Sequence, residues 1–537
     1  LITPGATPER FTYRELWELS GSCAGRLHAR GVRPGDRVAL GMASRWEVVV
    51  AVIALQRLGC TLIPLHDVAA LAPGETRHAA IPGALRAGRA AWCVVGSASV
   101  ASYEAALDVP VLSLEEIAAP GGDAAPSVDL KPDDLVLIQF SSGSTAQPKG
   151  VCLTRASVNS HLAAIRERLR GSSSEVTVSW LPLYHDMGLI GALFTSLWAG
   201  ATLVLLRPHD FVRNPLTWID AISRYRGTIT MGPQFAYSLC AARSRGAAAW
   251  ERLRGADLSS LRVALNGSET VHWELSTEFA ERFAELGLRP NVLQPAYGLA
   301  ENCVAVTMRD PESPVATRRL SRAALAEGRV ALAADDGDAR VTVGNGFPVR
   351  GTRVAIRDGG GRELGAGEVG EIFIAGSSAT AAYCGADGEL RSAGAGGWVP
   401  TGDMGGMMDG ELYVIGRVKE ILKCGGRTFV PSDIEVALAA RLGDGVGGVA
   451  AFGYYDAESG GEQLVVVAET PKGLRDDERD ELPGRIRLSV LSEFQLPVRE
   501  VVLIRARSIP RTSSGKIQRV SLQAAYARGG LPELVGA

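Results

Sequence analysis

The residues from Gln139 to Gly150 are of the types that bind phosphate. They read Gln-Phe-Ser-Ser-Gly-Ser-Thr-Ala-Gln-Pro-Lys-Gly and lie between two apolar runs. A loop of small residues and hydroxyls can bring backbone N–H groups close to an anion, and glycine permits the necessary curvature. It is not a Walker A loop, because Lys149 follows Pro148 and precedes a glycine. Composition alone would suit a polar turn without a ligand equally well.

Further along the chain, four segments carry residues suited to chemistry beside a phosphate. Glu301 ends a Tyr-Gly-Leu-Ala-Glu sequence and is a carboxylate of the kind that Mg²⁺ prefers. Asp403 follows a Thr-Gly turn, where it could accept both hydroxyls of a ribose. Arg417 and Lys419 stand in Gly-Arg-Val-Lys-Glu, and Lys516 lies in a Ser- and Gly-rich segment, where a mobile cation could neutralise a transferring group. Each segment also has a plainer interpretation, as a capped turn, a solvated boundary or a basic tail.

The elements that must position these segments alternate between helix and strand. Thr12 begins a capping-box pattern, which predicts an amphipathic helix to about Gly31. Trp46 to Leu58 is a second apolar helix, and the short apolar runs between such helices predict parallel strands in an α/β architecture. The predicted strands are 37–40, 60–64, 92–95, 136–140, 203–206, 228–230 and 263–265.

The character of the chain changes after about Gly344. Short strands separated by Gly-rich turns predict an antiparallel β subdomain there. From Val418 onward the pattern is mixed α/β again, over a length typical of a separate domain. At 537 residues the chain is too long for one ordinary core, so two or more domains are expected.

Composition excludes several classes of protein. The net charge of −3 gives no electrostatic footprint for nucleic acid. The eight cysteines form no CxxC pair, which indicates neither a disulfide framework nor a zinc site and favours a reducing, cytoplasmic location. The uncharged run from Met187 to Leu206 is long enough to span a membrane, but its glycines favour a buried helix followed by a buried strand.

Taken in order, the polar segments resemble one superfamily. A Ser/Thr/Gly loop ending Pro-Lys-Gly, then Tyr-Gly-Leu-Ala-Glu, Thr-Gly-Asp, Gly-Arg-x-Lys and a terminal Gly-Lys follow one another as in the adenylate-forming (AMP-binding) enzymes. That superfamily includes acyl-CoA synthetases, luciferases, peptide-synthetase adenylation domains and fatty acyl-AMP ligases. The chain looks most similar to the fatty acyl-AMP ligases in four stretches, at 180–188, 221–237, 266–270 and 426–435.

The resemblance implies an α/β fold with a large N-terminal adenylation domain of several subdomains and a small, mobile α+β C-terminal domain. The large domain would contain two α/β sheets and a β subdomain and span residues 1–416. Residues 417–420 would form the hinge, with Lys419 at its centre, and residues 421–537 the mobile domain. Glu301 and Gly344 lie further apart than their counterparts in CoA ligases. Fatty acyl-AMP ligases carry an insertion there that is held to restrain the C-terminal domain and disfavour CoA, at about 314–341 in this chain.

The resemblance also implies roles for individual residues in forming an acyl-adenylate and pyrophosphate from ATP and an acid. Lys516 would be the main catalytic residue, with Glu301 as the Mg²⁺ ligand. The phosphates of ATP would be bound by Ser141, Ser142, Gly143, Ser144, Thr145 and Lys149, of which Thr145 is also expected in catalysis. The adenine and α-phosphate side would be lined by Gly267, Ser268, Glu269, Ala296, Tyr297 and Gly298. Asp403 and Arg417 would hold the ribose.

Two departures from the family pattern bear on the substrate and the loop. Ala146 stands where the family loop usually has glycine, which would strain a backbone with positive φ. Met231 and Gln234 differ from the usual residues of the acyl pocket, which would also include Gly232, Phe235 and, at its entrance, His185. The resemblance also implies a place for His185 among the catalytic residues. The acid would therefore be hydrophobic, and either fatty or a bulky natural-product acid.

Three interpretations of function remain open from the sequence. The first is an acyl-AMP ligase that passes its product to the phosphopantetheine thiol of a carrier protein. The second is an acyl-CoA synthetase, or an adenylating partner of a separate thioesterifying enzyme. The third is a catalytically silent nucleotide- or acyl-binding relative, against which the joint presence of Glu301, Asp403, Arg417 and Lys516 argues.

Overall fold

The computed structural model describes residues 7–66, 76–140, 149–335, 339–424, 427–456, 461–471, 473–511 and 516–531. The chain divides into two compact units within those ranges. The first unit takes in 1–316, 345–354 and 373–401, and the second takes in 317–344, 355–372 and 402–537. The placement of a hinge at 417–420 stays a prediction.

The first part of the chain alternates between helix and strand, as the apolar runs predict. The first helix begins with a capping box, in which Thr12 and Glu15 each accept a hydrogen bond from the other's backbone N–H, at 3.2 and 2.7 Å. The elements are α1 (Tyr13–Ala29), β1 (Arg37–Gly41), α2 (Trp46–Arg57), β2 (Thr61–Leu65), α3 (Thr76–Gly88), β3 (Trp92–Val95), α4 (Val100–Ala106), β4 (Val111–Ser113), α5 (Leu114–Ala118), β5 (Leu135–Phe140) and β6 (Gly150–Thr154).

A second series of alternating elements follows. It comprises α6 (Arg155–Leu169), β7 (Val176–Ser179), α7 (Thr195–Ala199), β8 (Thr202–Leu205), α8 (Pro208–Arg213), α9 (Leu216–Arg224), β9 (Ile229–Gly232), α10 (Gln234–Ser244), α11 (Ala247–Arg252), β10 (Val263–Asn266), α12 (Trp273–Ala284), β11 (Leu293–Tyr297) and β12 (Thr307–Met308). A core of buried side chains, including Trp180, Phe211 and Trp218, packs between these helices and strands.

The remaining elements are mostly short strands, with helices returning near the end. They are β13 (Thr317–Ser321), α13 (Arg322–Ala326), β14 (Ala339–Val343), β15 (Phe347–Pro348), β16 (Thr352–Arg357), β17 (Gly370–Gly376), β18 (Ala382–Cys384), β19 (Leu390–Ser392), β20 (Val399–Met408), β21 (Glu411–Arg417), β22 (Leu422–Cys424), β23 (Arg427–Phe429), α14 (Pro431–Leu442), β24 (Gly448–Asp456), β25 (Gly461–Thr470), α15 (Asp476–Phe494), β26 (Val498–Arg505) and α16 (Arg519–Ala527).

The first unit contains two large sheets. One has eight strands in the order β19-β18-β6-β5-β2-β1-β3-β4, and the other has seven in the order β15-β12-β11-β10-β9-β7-β8. The strands from β1 to β5 pair in parallel, as do those from β7 to β11, which confirms the α/β prediction. β6 is antiparallel to both β5 and β18. The strands on either side of the Ser/Thr/Gly sequence, β5 and β6, are therefore antiparallel neighbours.

The uncharged run from Met187 to Leu206 is a buried helical segment followed by a strand, as the glycines indicate. Residues Met187–Phe194 form a π-helix that continues into α7, and Gly200 ends α7 with φ of 69° before β8. No helix in the described part of the chain is long and apolar enough to cross a membrane.

The second unit contains its own apolar cores. A three-stranded sheet, β24-β25-β26, has all of Leu464, Val465, Val466 and Val467 buried, so both of its faces are covered. α14 and α15 pack on one face, and α16 packs on the other. The hairpin β13–β14 also belongs to this unit, and its five residue pairs run antiparallel from Thr317–Val343 to Ser321–Ala339.

Candidate active site

The carboxyl ends of parallel strands bring several predicted site residues to one sheet edge. β7, β9, β10 and β11 are parallel neighbours. The last residues of these strands and the segments that follow them contain residues 231–235, 267–269, 296–298 and His185. Ligands of open α/β sheets bind at this edge. The segments touch each other there, since Gly267 N–H donates to Gly232 C=O at 3.3 Å and Phe235 N–H donates to the Glu269 carboxylate at 3.1 Å.

The backbone at this edge approaches so closely that two positions require glycine. A Cβ on Gly267 would lie 2.7 Å from the carbonyl oxygen of Ala296. A Cβ on Gly298 would lie 1.7 Å from the carbonyl oxygen of Val304, far inside contact distance. Ser268 has φ of 72°, a left-handed conformation that is uncommon without glycine and often found at functional sites.

Glu301 follows β11 in a short 3₁₀ turn, Ala300–Asn302. Tyr383 Oη donates to Glu301 Oε1 at 3.1 Å, and the Lys149 Nζ lies 3.3 Å from the centroid of the same tyrosine ring. Burial raises the pKa of the Glu301 carboxyl, while the bond from Tyr383 and the charge of Lys149 lower it in part. One aromatic side chain therefore contacts both a carboxylate and an ammonium group.

Asp186 adds a second carboxylate to this neighbourhood. Its negative charge raises the pKa of Glu301, as expected for two like charges in one site. Asp186 also caps the π-helix by accepting from Met187 N–H at 2.7 Å, and His185 Nδ1 lies 3.5 Å from the same Oδ1. His185 is partly buried, with 20% of its side chain exposed.

These residues fit a divalent cation that arrives with a nucleotide. Among the described residues no three His, Cys, Asp or Glu side chains form a metal-binding group. Mg²⁺ in nucleotide sites is usually held by one or two carboxylates together with phosphate oxygens and water, so such a group is not required. Glu301 and Asp186 provide the carboxylates, and the raised pKa of Glu301 reflects a buried acid that a cation would stabilise in its charged form.

In the second unit, Asp403 and Arg417 are paired across neighbouring strands. β20 and β21 are antiparallel with Asp403 opposite Arg417, and Arg417 Nε lies 3.3 Å from Asp403 Oδ1. Asp403 is 8% exposed, whereas Arg417 is largely exposed. The predicted Thr-Gly turn before Asp403 is wrong, because Gly402 and Asp403 both lie within β20. Gly402 nevertheless has φ of 74°, and its N–H donates to Glu371 Oε1 at 3.0 Å.

Lys516 lies near a strong ion-pair cluster of the same unit. Arg519, three residues later, donates to Glu420 at 2.7 Å and to the two oxygens of Glu435 at 2.8 and 2.6 Å. All three side chains of this cluster are less than one-fifth exposed. Glu420 directly follows Lys419, which is exposed in a turn. The cluster therefore ties the start of α16, close to Lys516, to the predicted hinge segment.

The predicted acyl-pocket residues lie at the sheet edge but differ in what they contact. Met231 is 3% exposed, and its Sδ would lie 3.2 Å from a Cβ built on Gly191 of the π-helix. Gln234 is 4% exposed, and its Oε1 accepts from Asn266 Nδ2 at 2.8 Å and from Ser276 at 3.2 Å. Phe235 packs edge-on against Trp180. Their role in binding an acid stays a prediction.

Part of the predicted site lies outside the described residues. It comprises Ser141, Ser142, Gly143, Ser144, Thr145 and Ala146. Sequence reasoning missed Tyr383 and Thr380, which stand in a segment without any polar motif. The pairing of β18 with β6 brings that segment close to Lys149, and nothing local in the sequence signals such a long-range pairing.

The chain is similar to known enzymes of one family. The family model described as AMP-binding enzyme matches residues 3–384. A medium-chain-fatty-acid–acyl-carrier-protein ligase of Moorena producens is 34% identical over 421 residues, covering 75% of this chain and 70% of that protein. A long-chain-fatty-acid–AMP ligase of Mycolicibacterium smegmatis is 31% identical over 590 residues, covering 98% and 90%.

Solved structures give the same result. A structure from a study of fatty acyl-adenylate ligases of E. coli and L. pneumophila aligns with a TM-score of 0.87 and 30% identity, covering 97% of this chain and 93% of that chain. The family match spans most of the first unit, including the strand ends that carry Glu301 and Tyr383. The chain therefore belongs to the AMP-binding enzyme family and is an ATP-dependent acid ligase that forms an acyl-adenylate.

Proposed function

We propose that the protein activates a hydrophobic carboxylic acid with ATP and Mg²⁺ and delivers the acyl group to the phosphopantetheine thiol of a carrier protein. The observation that carries this proposal is the contact of Glu301 and Lys149 through Tyr383, beside the strand ends that receive ligands in α/β sheets. Relatives named for fatty acids and acyl carrier proteins support the acid and acceptor classes. The eight cysteines are all free thiols, which supports a reducing cytoplasm.

In the proposed reaction, a carboxylate oxygen of the acid attacks the α-phosphorus of ATP. The bond from that phosphorus to the oxygen bridging to the β-phosphate breaks, and pyrophosphate leaves with the electron pair. The reactants carry like charges, so the site must supply positive charge and must orient them. When bound, Mg²⁺ supplies charge neutralisation on the phosphates, and Glu301 with Asp186 would hold it.

The remaining roles belong to side chains of this chain. Lys149 faces the departing phosphates and Lys516 bridges the carboxylate and the α-phosphate. Asp403 accepts hydrogen bonds from the ribose hydroxyls. Arg417, on the neighbouring strand, pairs with the Asp403 carboxylate. Gly267, Ser268, Glu269 and the 296–298 segment line the adenine and α-phosphate, and His185 lies at the entrance for the acid.

The proposed enzyme differs from a CoA ligase in the thiol that accepts the acyl group. The hairpin β13–β14, which overlaps the predicted insertion at 314–341, packs in the second unit through Arg340, which is 8% exposed. Its Nε lies 2.9 Å from Asp433 Oδ2 and its Nη2 donates to Ile415 C=O at 3.2 Å. A restrained insertion supports a carrier protein over CoA as acceptor.

The test is ATP-dependent pyrophosphate release over a broad panel of fatty and bulky acids, with carrier protein and CoA compared as acceptors. If no acid of the panel gave ATP-dependent pyrophosphate release, the ligase proposal would be wrong. If CoA gave the same thioester yield as the carrier protein, the acceptor proposal would be wrong.

Lys516→Ala tests the main catalytic assignment. It should lower adenylate formation by about 100-fold or more, because one preorganised donor to a developing charge contributes that much, and leave ATP affinity nearly unchanged. Lys423→Ala, at an exposed lysine of the same unit, is the matched control and should behave as wild type. Near-normal adenylation by Lys516→Ala would exclude the assignment.

A further inference from the structure

One side chain in the first unit contacts two groups of opposite charge. Tyr383 is 7% exposed, and its hydroxyl donates to Glu301 Oε1 at 3.1 Å. The Lys149 ammonium lies over its ring at 3.3 Å from the centroid, the geometry of a cation–π contact. The hydroxyl of Tyr383 thus contacts Glu301, and its ring contacts Lys149.

The chain holds Tyr383 in this place by strand pairing. β18 is antiparallel to β6, with Tyr383 opposite Val151 and Cys384 opposite Gly150, directly after Lys149. Because the pairing begins where the Ser/Thr/Gly loop ends, the tyrosine ring comes to lie beside Lys149.

The same segment also anchors the backbone around Glu301. Thr380 N–H donates to Glu301 C=O at 2.7 Å, and the Thr380 hydroxyl oxygen lies 2.7 and 2.8 Å from the carbonyl oxygens of Cys152 and Ala382, one of which accepts its hydrogen. Glu301 is therefore fixed twice from one segment, by its carbonyl and by its carboxylate.

We propose that Tyr383 is a positioning residue for nucleotide binding. Its hydroxyl orients the Glu301 carboxylate toward the divalent cation that accompanies ATP, and its ring holds Lys149 at the end of the phosphate loop. This inference rests on the proposed function, in which Glu301 binds the cation and Lys149 the phosphates. Groups that orient a metal ligand commonly contribute 10- to 100-fold to metal affinity.

The two contacts can be separated by substitution. Tyr383→Phe keeps the ring over Lys149 and removes only the bond to Glu301. Tyr383→Leu removes both contacts, and Tyr383→Met does so with a side chain that fills irregular space more readily. Tyr13→Phe is the matched control, since its hydroxyl donates to the carbonyls of Ser196 and Ala201 at 2.9 and 2.8 Å and contacts none of the site residues.

The experiment measures ATP binding by calorimetry in EDTA and across a range of Mg²⁺ concentrations, without any acid. Tyr383→Phe should bind ATP in EDTA within about twofold of wild type. It should need about tenfold more Mg²⁺ for the half-maximal gain in affinity. Tyr383→Leu should show the same Mg²⁺ defect and also bind ATP in EDTA about two- to fivefold more weakly. Thermal melting of each variant shows that the fold is kept, and the Met variant replaces Leu if it is not.

Each arm can overturn one part of the inference. If ATP binding to Tyr383→Phe depended on Mg²⁺ as in wild type, the role of the hydroxyl would be excluded. If the Leu or Met variant bound ATP in EDTA as tightly as wild type, the role of the ring would be excluded. Because binding is measured without acid, failure of the proposed function appears separately, as wild-type protein that binds MgATP but releases no pyrophosphate with any acid.

Discussion

At the scale of single residues, the sheet edge is determined by close backbone approaches as much as by charged groups. Gly298 follows β11 and lies three residues before Glu301, and its Cα faces the carbonyl of Val304 at a distance that admits no side chain. The turn that carries Glu301 is thus packed backbone to backbone. Only a hydrogen atom fits between the end of the strand and the returning chain.

Gly298→Ala should therefore distort the turn. The added methyl would lie 1.7 Å from the Val304 oxygen, which costs about 1–3 kcal/mol of stability as overpacking and displaces Glu301. Melting temperature and the Mg²⁺ dependence of ATP binding should both change. Gly246→Ala is the control, since no atom lies within 4 Å of its Cβ position. A Gly298→Ala protein with unchanged Mg²⁺ dependence would contradict this account.

At the scale of elements, α6 contacts the segment that directly follows the turn carrying Glu301. His161 on α6 is 0% exposed, and its Nε2 accepts from Ala305 N–H at 3.1 Å, just past the turn that carries Glu301. Nδ1 must then carry the ring proton. Desolvation lowers the pKa of His161 from 6.5 to about 3, so the ring stays neutral in the folded protein.

This burial predicts a pH-dependent loss of stability. Between pH 6.5 and about 3 the unfolded imidazole binds a proton that the folded one does not, so the free energy of unfolding falls as pH falls. The slope from this group is on the order of 1 kcal/mol per pH unit. His161→Gln keeps an acceptor without titrating, so its melting temperature should fall less between pH 7 and 5. His209→Gln, at an exposed histidine, should keep the wild-type slope; equal slopes in all three proteins would refute the prediction.

Sequence patterns predicted the elements well and their long-range contacts poorly. The apolar runs predicted β1 to β3 and β10 within about one residue, and the helix-then-strand interpretation of 187–206 is confirmed. The eight-residue π-helix was not predicted, because residue composition does not distinguish it from an α-helix. Tyr383 was missed because its contacts with Glu301 and Lys149 depend on a strand pairing with Val151, and a residue in an Ala-Tyr-Cys triplet carries no local sign of its partner.

At the scale of the whole chain, a hairpin distant in sequence belongs to the second unit. β13 and β14 precede the strands of the three-stranded sheet by more than a hundred residues, yet Arg340 of β14 pairs with Asp433 of α14 in a nearly buried contact. The guanidinium of Arg322, in α13 between the two strands, lies over the Phe494 ring, 4.9 Å from its centroid. The second unit is therefore held together partly by contacts between residues 322–340 and the helices α14 and α15.

Arg340→Ala should loosen this hairpin and increase the use of CoA. Removing one partner of a buried ion pair costs roughly 3–5 kcal/mol, so the second unit should melt earlier. We expect several-fold more acyl-CoA relative to acyl carrier protein in the thioester assay. Arg318→Ala, on β13 with an exposed Asp409 partner at 3.4 Å, should change neither measurement. An unchanged ratio of acceptors in a destabilised Arg340→Ala would show that the hairpin contributes stability alone.

The pairing of β18 with β6 has a consequence for biosynthesis. Tyr383 and its partner Val151 are 232 residues apart in the chain (383 minus 151). At about 5–20 residues per second, the ribosome needs roughly 10–50 s to complete that interval, during which the outer edge of β6 has no neighbouring strand. A nascent chain that ends before β18 already contains Lys149 and Glu301 but lacks the side chain that contacts both. On the proposed role of Tyr383, we expect full nucleotide affinity only after residue 384 has been translated.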